Sequence, residues 1–188
     1  MKHFLDVGSN VGQTFDDFLT RDPSFDGWEI HCFEPSPRHV PALMEKAAGL
    51  AARYRIHIHP YGLRGQSALV PFFQKDDPRG DSFEHFLASD HVTTNLEPGY
   101  MLHAYAASAA DWIVSNTAAT DDVVLKLDIE GSEYALLSRL IGRPDALARV
   151  RRILVEWHTI KSTTPAYSPE LLGAMYAAIG LPLERWQF

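Results

Sequence analysis

A short apolar run passes directly into a glycine-rich turn in the segment FLDVGSNVG, residues 4–12. The run predicts a buried β-strand that ends at Gly8, and apolar residues at helical spacing after it predict a helix from residue 11 onward. Glycines at such a turn let the backbone approach a ligand closely, and the turn directs the N-terminal amides of the helix at that ligand. The segment therefore predicts the first strand–helix unit of a ligand-binding α/β fold.

Short apolar runs and helical patterns alternate along the rest of the chain. Strands are predicted at residues 28–33, 55–63, 68–73, 123–127, 153–157 and 181–188, and helices at residues 36–47, 132–141 and 169–179. Ser36 and Pro37 resemble the cap and first position of their helix, although Pro41 within it also permits a later start. This alternation predicts an α/β fold in which a mostly parallel sheet carries helices on both faces.

Length and composition predict one domain over residues 1–188 with an ordinary globular core. Within it, residues 74–103 lack a steady period and predict an irregular insertion, which is a candidate loop over an acceptor site. The net charge of -7 disfavours a nucleic-acid partner, and the sequence has no apolar run long enough for a membrane span. Cys32 is the single cysteine and no export signal is recognised, so we expect a cytoplasmic protein.

An acidic residue follows the second predicted strand in the segment Phe33-Glu34-Pro35. In parallel α/β sheets the carboxyl ends of adjacent strands face one crevice, where Glu34 is placed to accept hydrogen bonds from two ribose hydroxyls. A nicotinamide-binding GxGxxG fingerprint would need a glycine where this chain has Asn10. An NAD-dependent oxidoreductase therefore stays a less favoured alternative.

Four segments resemble the FkbM-type methyltransferases: FLDVGSNVG (residues 4–12), CFEPSP (32–37), LKLDIEGSEY (125–134) and LVEWH (154–158). Their order and spacing span most of the chain, and LKLDIEGSEY is the most specific of them. An acidic residue two positions before the first glycine, here Asp6, is also a methyltransferase pattern. The resemblance implies a Rossmann-like class I methyltransferase fold, truncated here at the C-terminal strands because only one of the usual terminal pair fits.

The same resemblance implies S-adenosyl-L-methionine (SAM) as methyl donor and usually a hydroxyl oxygen as acceptor. Residues expected around the methionine part of SAM are Asp6, Gly8, Ser9, Asn10, Gly12 and Thr14. Glu34 would hold the ribose, and Tyr61 and Gly62 would lie near the adenine.

Candidate catalytic residues follow the strands at residues 123–127 and 153–157. A hydroxyl is a poor nucleophile, so a general base is expected to remove its proton during methyl transfer. Asp128, Glu130 and His158 are the predicted catalytic residues, because charged side chains that leave an apolar strand are costly unless they are hydrogen-bonded or functional.

Two groups of residues could supply metal ligands. One is Asp128, Glu130, Glu156 and His158; the other is His85, His91 and His103 with Asp76, Asp77, Asp81 and Asp90. Neither has a recognised ligand spacing, so no metal site is predicted.

The sequence thus predicts a SAM-dependent O-methyltransferase acting on a hydroxyl of a small molecule or glycan, without nucleic-acid or membrane partners. The alternatives are the NAD-dependent oxidoreductase and a non-catalytic SAM-binding module.

Overall fold

The structure, a computed structural model, describes residues 1–19, 21–74, 81, 101–158 and 168–186. The strands in these ranges are β1 (Lys2–Val7), β2 (Glu29–Phe33), β3 (Arg55–His59), β4 (Gly62–Arg64), β5 (Ala68–Phe73), β6 (Met101–Ser108), β7 (Asp122–Leu127), β8 (Val150–Val155) and β9 (Leu183–Arg185). The helices are a π-helical turn (Phe15–Leu19), a 3₁₀ turn (Pro23–Phe25), α1 (Val40–Leu50), α2 (Ala109–Asn116), α3 (Glu133–Leu140), α4 (Pro144–Leu147) and α5 (Pro169–Ala178).

Six strands form a parallel central sheet in the order β3-β2-β1-β7-β8-β9. The direction of strand addition reverses between β1 and β7, and ligands of such sheets bind at this switch point, beyond the carboxyl ends. Val7 is paired with Phe33 on one side and with Leu127 on the other. This register places the residues that follow three adjacent strands, Gly8, Glu34 and Asp128, along one edge of the sheet.

Apolar side chains of the central sheet enter two hydrophobic clusters, one on each face. Leu5, Val7 and Leu125 pack with residues of α2, α3 and α5, whereas Phe4 and Val124 pack with residues of α1 and the π-helical turn. Alternation along each strand sends successive side chains to opposite faces, so both faces need a helical cover. The predicted α/β class with a mostly parallel sheet is therefore confirmed.

A second sheet has the order β4-β6-β5, with β4 parallel and β5 antiparallel to β6. It corrects the prediction of one strand over residues 55–63, since the chain leaves the central sheet at His59 and Gly62 begins a strand of the other sheet. It also corrects the insertion boundary, because residues 101–103 belong to β6. Residues 75–80 and 82–100 of the predicted insertion, including His85 and His91, lie outside the described residues.

The observed start of a helix matches the predicted start where a side chain caps the helix. Ser168 accepts the Leu171 amide at 3.2 Å, so α5 begins at Pro169 as expected. For α1 the later of the two starts that the sequence allowed is confirmed: residues 36–39 form a turn instead of a cap and first helical position, and the helix begins at Val40 with Pro41 in its first turn. Proline is tolerated there because its missing amide would have had no partner within the helix.

No helix within the described residues is long and apolar enough to cross a membrane. The cellular compartment remains a prediction from the sequence.

Candidate active site

The glycine-rich turn after β1 is held against the ends of both neighbouring strands. The amides of Gly8 and Ser9 donate to the Phe33 carbonyl at 3.1 and 3.2 Å. Gly8 has a φ of +83°, and a Cβ added there would lie 1.9 Å from the carbonyl oxygen of Asp128. A side chain at this position would meet both the strained backbone conformation and the end of β7. Glycine is thus required by the packing of the turn, as well as by close approach of a ligand.

Glu34, the first residue after β2, connects the glycine turn to the segment before α1. Its carboxylate accepts the amides of Asn10 and Ser36, each at 2.8 Å, and the residue is only 5% exposed. Asn10 itself has a left-handed φ of +50°, so the carboxylate stabilises an uncommon backbone conformation. A carboxylate offers about four acceptor positions, which leaves capacity for ligand hydroxyls.

A cavity of about 200 Å³, partly open to solvent, lies at the carboxyl ends of β1, β2 and β7. The predicted site residues that line it are Gly8, Asn10, Glu34, Gly62, Asp128 and Glu130. Residues predicted separately from the glycine turn, from β2 and from the LKLDIEGSEY segment therefore surround one space.

Other predicted cofactor residues support this cavity without lining it. Ser9 and Thr14 line an adjoining cleft, where the Thr14 hydroxyl donates to the fully buried Asp6 carboxylate at 3.1 Å. A Cβ at Gly12 would lie 2.8 Å from the Phe15 ring, which indicates a packing requirement at that glycine.

Tyr61 lies beside the cavity residue Gly62 but faces a different set of partners. Its hydroxyl accepts the Trp112 indole N–H at 3.3 Å and lies 3.2 Å from Nδ1 of His59. The predicted contact of Tyr61 with adenine therefore stays a prediction, since the residue does not line the cavity.

Lys126 is a buried cation beneath the cavity, with a side chain only 2% exposed. Its ammonium group lies 3.1 Å from the Asp6 carboxylate and 3.3 Å from the Asp128 carboxylate, and donates to the Gly8 carbonyl at 3.1 Å. Burial alone would lower the pKa of Lys126, but the two carboxylates outweigh burial and raise it above its ordinary value. A permanent positive charge thus joins the glycine turn to the candidate catalytic aspartate.

The loop between β7 and α3 has a backbone conformation that its own sequence stabilises. Glu130 and Gly131 have φ values of +56° and +106°. The carboxylate of Glu133, fully buried at the start of α3, accepts the amides of Ile129 at 2.9 Å and Gly131 at 3.0 Å. A non-glycine residue in the left-handed region stores backbone strain, which is common at functional sites. Here the strain directs Glu130 into the cavity lining.

His158, just beyond β8, is surrounded by carboxylates. Its Nδ1 lies 2.8 Å from Glu133, and its Nε2 lies 3.8 Å from an oxygen of each of Asp128, Glu130 and Glu156. Burial alone would lower the pKa of His158, but the Glu133 hydrogen bond and the other carboxylates outweigh burial and raise it. The three predicted catalytic residues therefore converge, although His158, unlike Asp128 and Glu130, does not line the main cavity.

Sequence reasoning assigned no functional role to Lys126 or Glu133. The signal for Lys126 was its position inside the apolar run DVVLKL, because a charge in a buried strand requires partners. Nothing in the linear sequence indicates that the Glu133 carboxylate contacts His158, since the two residues are 25 positions apart.

The parallel sheet, its switch-point cavity and the acidic residues at the ends of β2 and β7 define a Rossmann-like α/β fold with a candidate ligand site at its switch point. A model of the methyltransferase FkbM domain matches residues 6–179, and the chain belongs to that family. The fold and the family predicted from the four sequence segments are thus confirmed. No curated protein and no solved structure matches the chain.

Proposed function

We propose that this methyltransferase uses SAM and methylates a hydroxyl oxygen of a small molecule or glycan. The observation that carries the proposal is the shared cavity, which has Gly8 and Glu34 on one side and Asp128 and Glu130 on the other. The first pair suits the binding of a nucleoside and its substituents, and the second suits the removal of a hydroxyl proton.

The residues around the glycine turn fit the donor. Left-handed backbone at Gly8 and Asn10 brings main-chain atoms to the cavity surface without an intervening Cβ at Gly8. Glu34 keeps acceptor capacity toward the cavity after it has bound two amides. When bound, SAM supplies a methyl carbon that bonds to the acceptor oxygen as its bond to sulfur breaks, with the electron pair remaining on sulfur.

Asp128 is the proposed general base, and it receives the proton that the acceptor hydroxyl loses. Lys126, 3.3 Å away, keeps the Asp128 carboxylate oriented at the end of β7. Glu130 lies on the same cavity wall and is the second candidate for this role. Holding the acceptor in line is expected to contribute more than the base, since positioning alone can supply about 7–11 kcal/mol of barrier reduction.

The charge of the cavity suits a neutral or cationic acceptor. Asp128, Glu130 and Glu156 all line it, and the chain carries a net charge of -7. A polyphosphate chain would meet repulsion on this wall, so we propose no nucleic-acid acceptor.

The donor assignment is tested by thermal unfolding with S-adenosylhomocysteine, SAM and NAD in separate samples. We expect the first two to stabilise the fold by about 2.7 kcal/mol at 100 times the dissociation constant. NAD should produce no shift. Stabilisation by NAD with no response to SAM or S-adenosylhomocysteine would overturn the proposal in favour of an oxidoreductase.

Glu34→Gln sharpens this test, because it removes the charge that faces the ribose site and keeps one amide-accepting oxygen. We expect S-adenosylhomocysteine affinity to fall by about 1.5–3 kcal/mol in calorimetry. Glu29→Gln, at the amino end of the same strand, is the matched control and should leave affinity unchanged. Equal affinities of the two variants would remove Glu34 from the cofactor site.

A further inference from the structure

The carboxyl ends of β7 and β8 bring together oxygen and nitrogen atoms that could bind a metal ion, and neither segment supplies all of them alone. One carboxylate oxygen each from Asp128 and Glu156 and one ring nitrogen of His158 lie within 4.8 Å of one another. Glu130 adds a further oxygen 3.8 Å from the Nε2 of His158. These separations leave a space that a single divalent cation can fill with modest side-chain adjustment, since metal–ligand bonds are about 2.0–2.4 Å long.

His158 gives the second and independent observation. The side chain is 10% exposed, and its Nε2 is directed at the carboxylates. Within the described residues its one hydrogen bond joins Nδ1 to Glu133 at 2.8 Å, so Nε2 has no hydrogen-bond partner. Histidines that bind metals typically donate the other ring N–H to a carboxylate, which fixes the ring and its tautomer. The buried Glu133 occupies that position.

The positions of the two carboxylates indicate what a bound cation would reach. Asp128 and Glu156 both line the main cavity and the adjoining cleft, so a cation between them would face the space proposed for the acceptor. Glu156 is 47% exposed in its side chain, which provides an entry path from solvent.

We propose that Asp128, Glu156 and His158 bind one divalent transition-metal cation of the Mn²⁺ type. One imidazole with two or three carboxylates and open positions suits such a cation better than an all-oxygen Ca²⁺ site or a thiolate-rich Zn²⁺ site. At this place, and resting on the proposed function, the cation would hold the acceptor oxygen and make its hydroxyl more acidic. The absence of a recognised ligand spacing in the sequence reflects that the ligands come from two different strands.

Binding of Mn²⁺ alone tests the site. Purified protein treated with a chelator is titrated with Mn²⁺ at neutral pH, and free Mn²⁺ is measured by electron paramagnetic resonance. We expect one site per chain in the wild type. Glu156→Gln should weaken binding at least 10-fold, and His158→Gln should do the same. Glu45→Gln makes the same charge change at an exposed position of α1 and should leave binding unchanged.

Two results would overturn the proposal. One is the absence of saturable binding by the folded wild type up to 1 mM Mn²⁺, which is roughly the weak limit for protein cation sites. The other is equal Mn²⁺ affinity of Glu156→Gln and Glu45→Gln. Binding of S-adenosylhomocysteine is measured on the same samples in the chelator. Normal S-adenosylhomocysteine binding with no Mn²⁺ binding would reject the metal site and leave the proposed function standing. The reverse pattern would reject the donor assignment and leave the metal site standing.

Discussion

Two groups of histidines in this protein have opposite environments. The histidine ladder consists of His3, His31 and His59 on three adjacent strands, with 3.2 Å between ring nitrogens at each of its two steps. Burial and neighbouring histidines lower the pKa of His31 to about 3, and burial with His57 lowers that of His59 to about 4. His158, among carboxylates, has a raised pKa instead.

Burial lowers the pKa in both groups, and this difference teaches that the neighbours of each histidine decide whether that effect is reinforced or outweighed. His31 and His158 are both largely buried, yet the surroundings of His31 favour its neutral form while the carboxylates around His158 favour its charged form. None of the three ladder residues lines the candidate cavity, although the ladder ends at Tyr61 beside it. We therefore expect the ladder to stabilise the fold and the carboxylate cluster around His158 to serve the reaction.

The largest expected effect is on turnover, in the carboxylate cluster around His158. Asp128→Asn retains the shape of the side chain and loses its charge and its capacity to act as a base. Turnover should fall about 100- to 10,000-fold, while S-adenosylhomocysteine affinity stays near normal. The measurement is S-adenosylhomocysteine release with a panel of hydroxylated small molecules and oligosaccharides.

Asp122→Asn is the control for that variant, since Asp122 begins the same strand and makes an exposed pair with Arg151. Exposed pairs contribute little, so its turnover and stability should match the wild type. Normal turnover by folded Asp128→Asn would exclude Asp128 as the base and favour Glu130.

A smaller effect, on the stability of the fold, is expected from His31→Ala in the histidine ladder. The substitution leaves one ring nitrogen of His3 and one of His59 without its partner, which should lower the free energy of unfolding by about 1–3 kcal/mol. Urea denaturation measures this loss, and the turnover per folded molecule should not change. His57→Ala, whose side chain is 48% exposed, should cost less and serves as the control. Loss of turnover without loss of stability would contradict the assigned role of the ladder.

The smallest expected effect is a change in the free energy of unfolding with pH. The folded-state pKa values of His31 and His59 lie below the unfolded value of about 6.5, so the unfolded chain binds more protons below that pH. Stability should therefore fall as the pH drops from about 6.5 toward 4.

The His31→Ala variant isolates this contribution, because carboxyl groups titrate alike in both proteins. Its free energy of unfolding should change less steeply with pH than that of the wild type over the same window. Parallel curves would contradict the lowered pKa values of His31 and His59 in the folded protein.

Local patterns were sufficient for the parts of the fold in which side chains act on their own neighbourhood. The run before Gly8 predicted β1, and the Ser168–Pro169 pair predicted the start of α5, because burial periodicity and capping depend on adjacent residues. The pattern failed at residues 60–61, where the chain passes from one sheet to the other. It also failed for β6 at residues 101–103, since strand pairing there depends on β4 and β5.

For the candidate site, too, local patterns identified some residues and missed the contacts between distant ones. Gly8, Glu34 and Asp128 were found because each directly follows a strand, and parallel strands end at one edge. The pairing of Lys126 with Asp6 and the contact of Glu133 with His158 were not found, because these residues are far apart in the chain.

The sequence by itself determined the family, the α/β class and the strand ends that surround the cavity, since these follow from local periodicity and short motifs. Only the tertiary structure decided which charges meet. The parallel register of distant strands brings three carboxylates near Nε2 of His158 and places His3, His31 and His59 in series. Electrostatic character depends on distances of a few ångströms, and those distances exist only after the chain has folded.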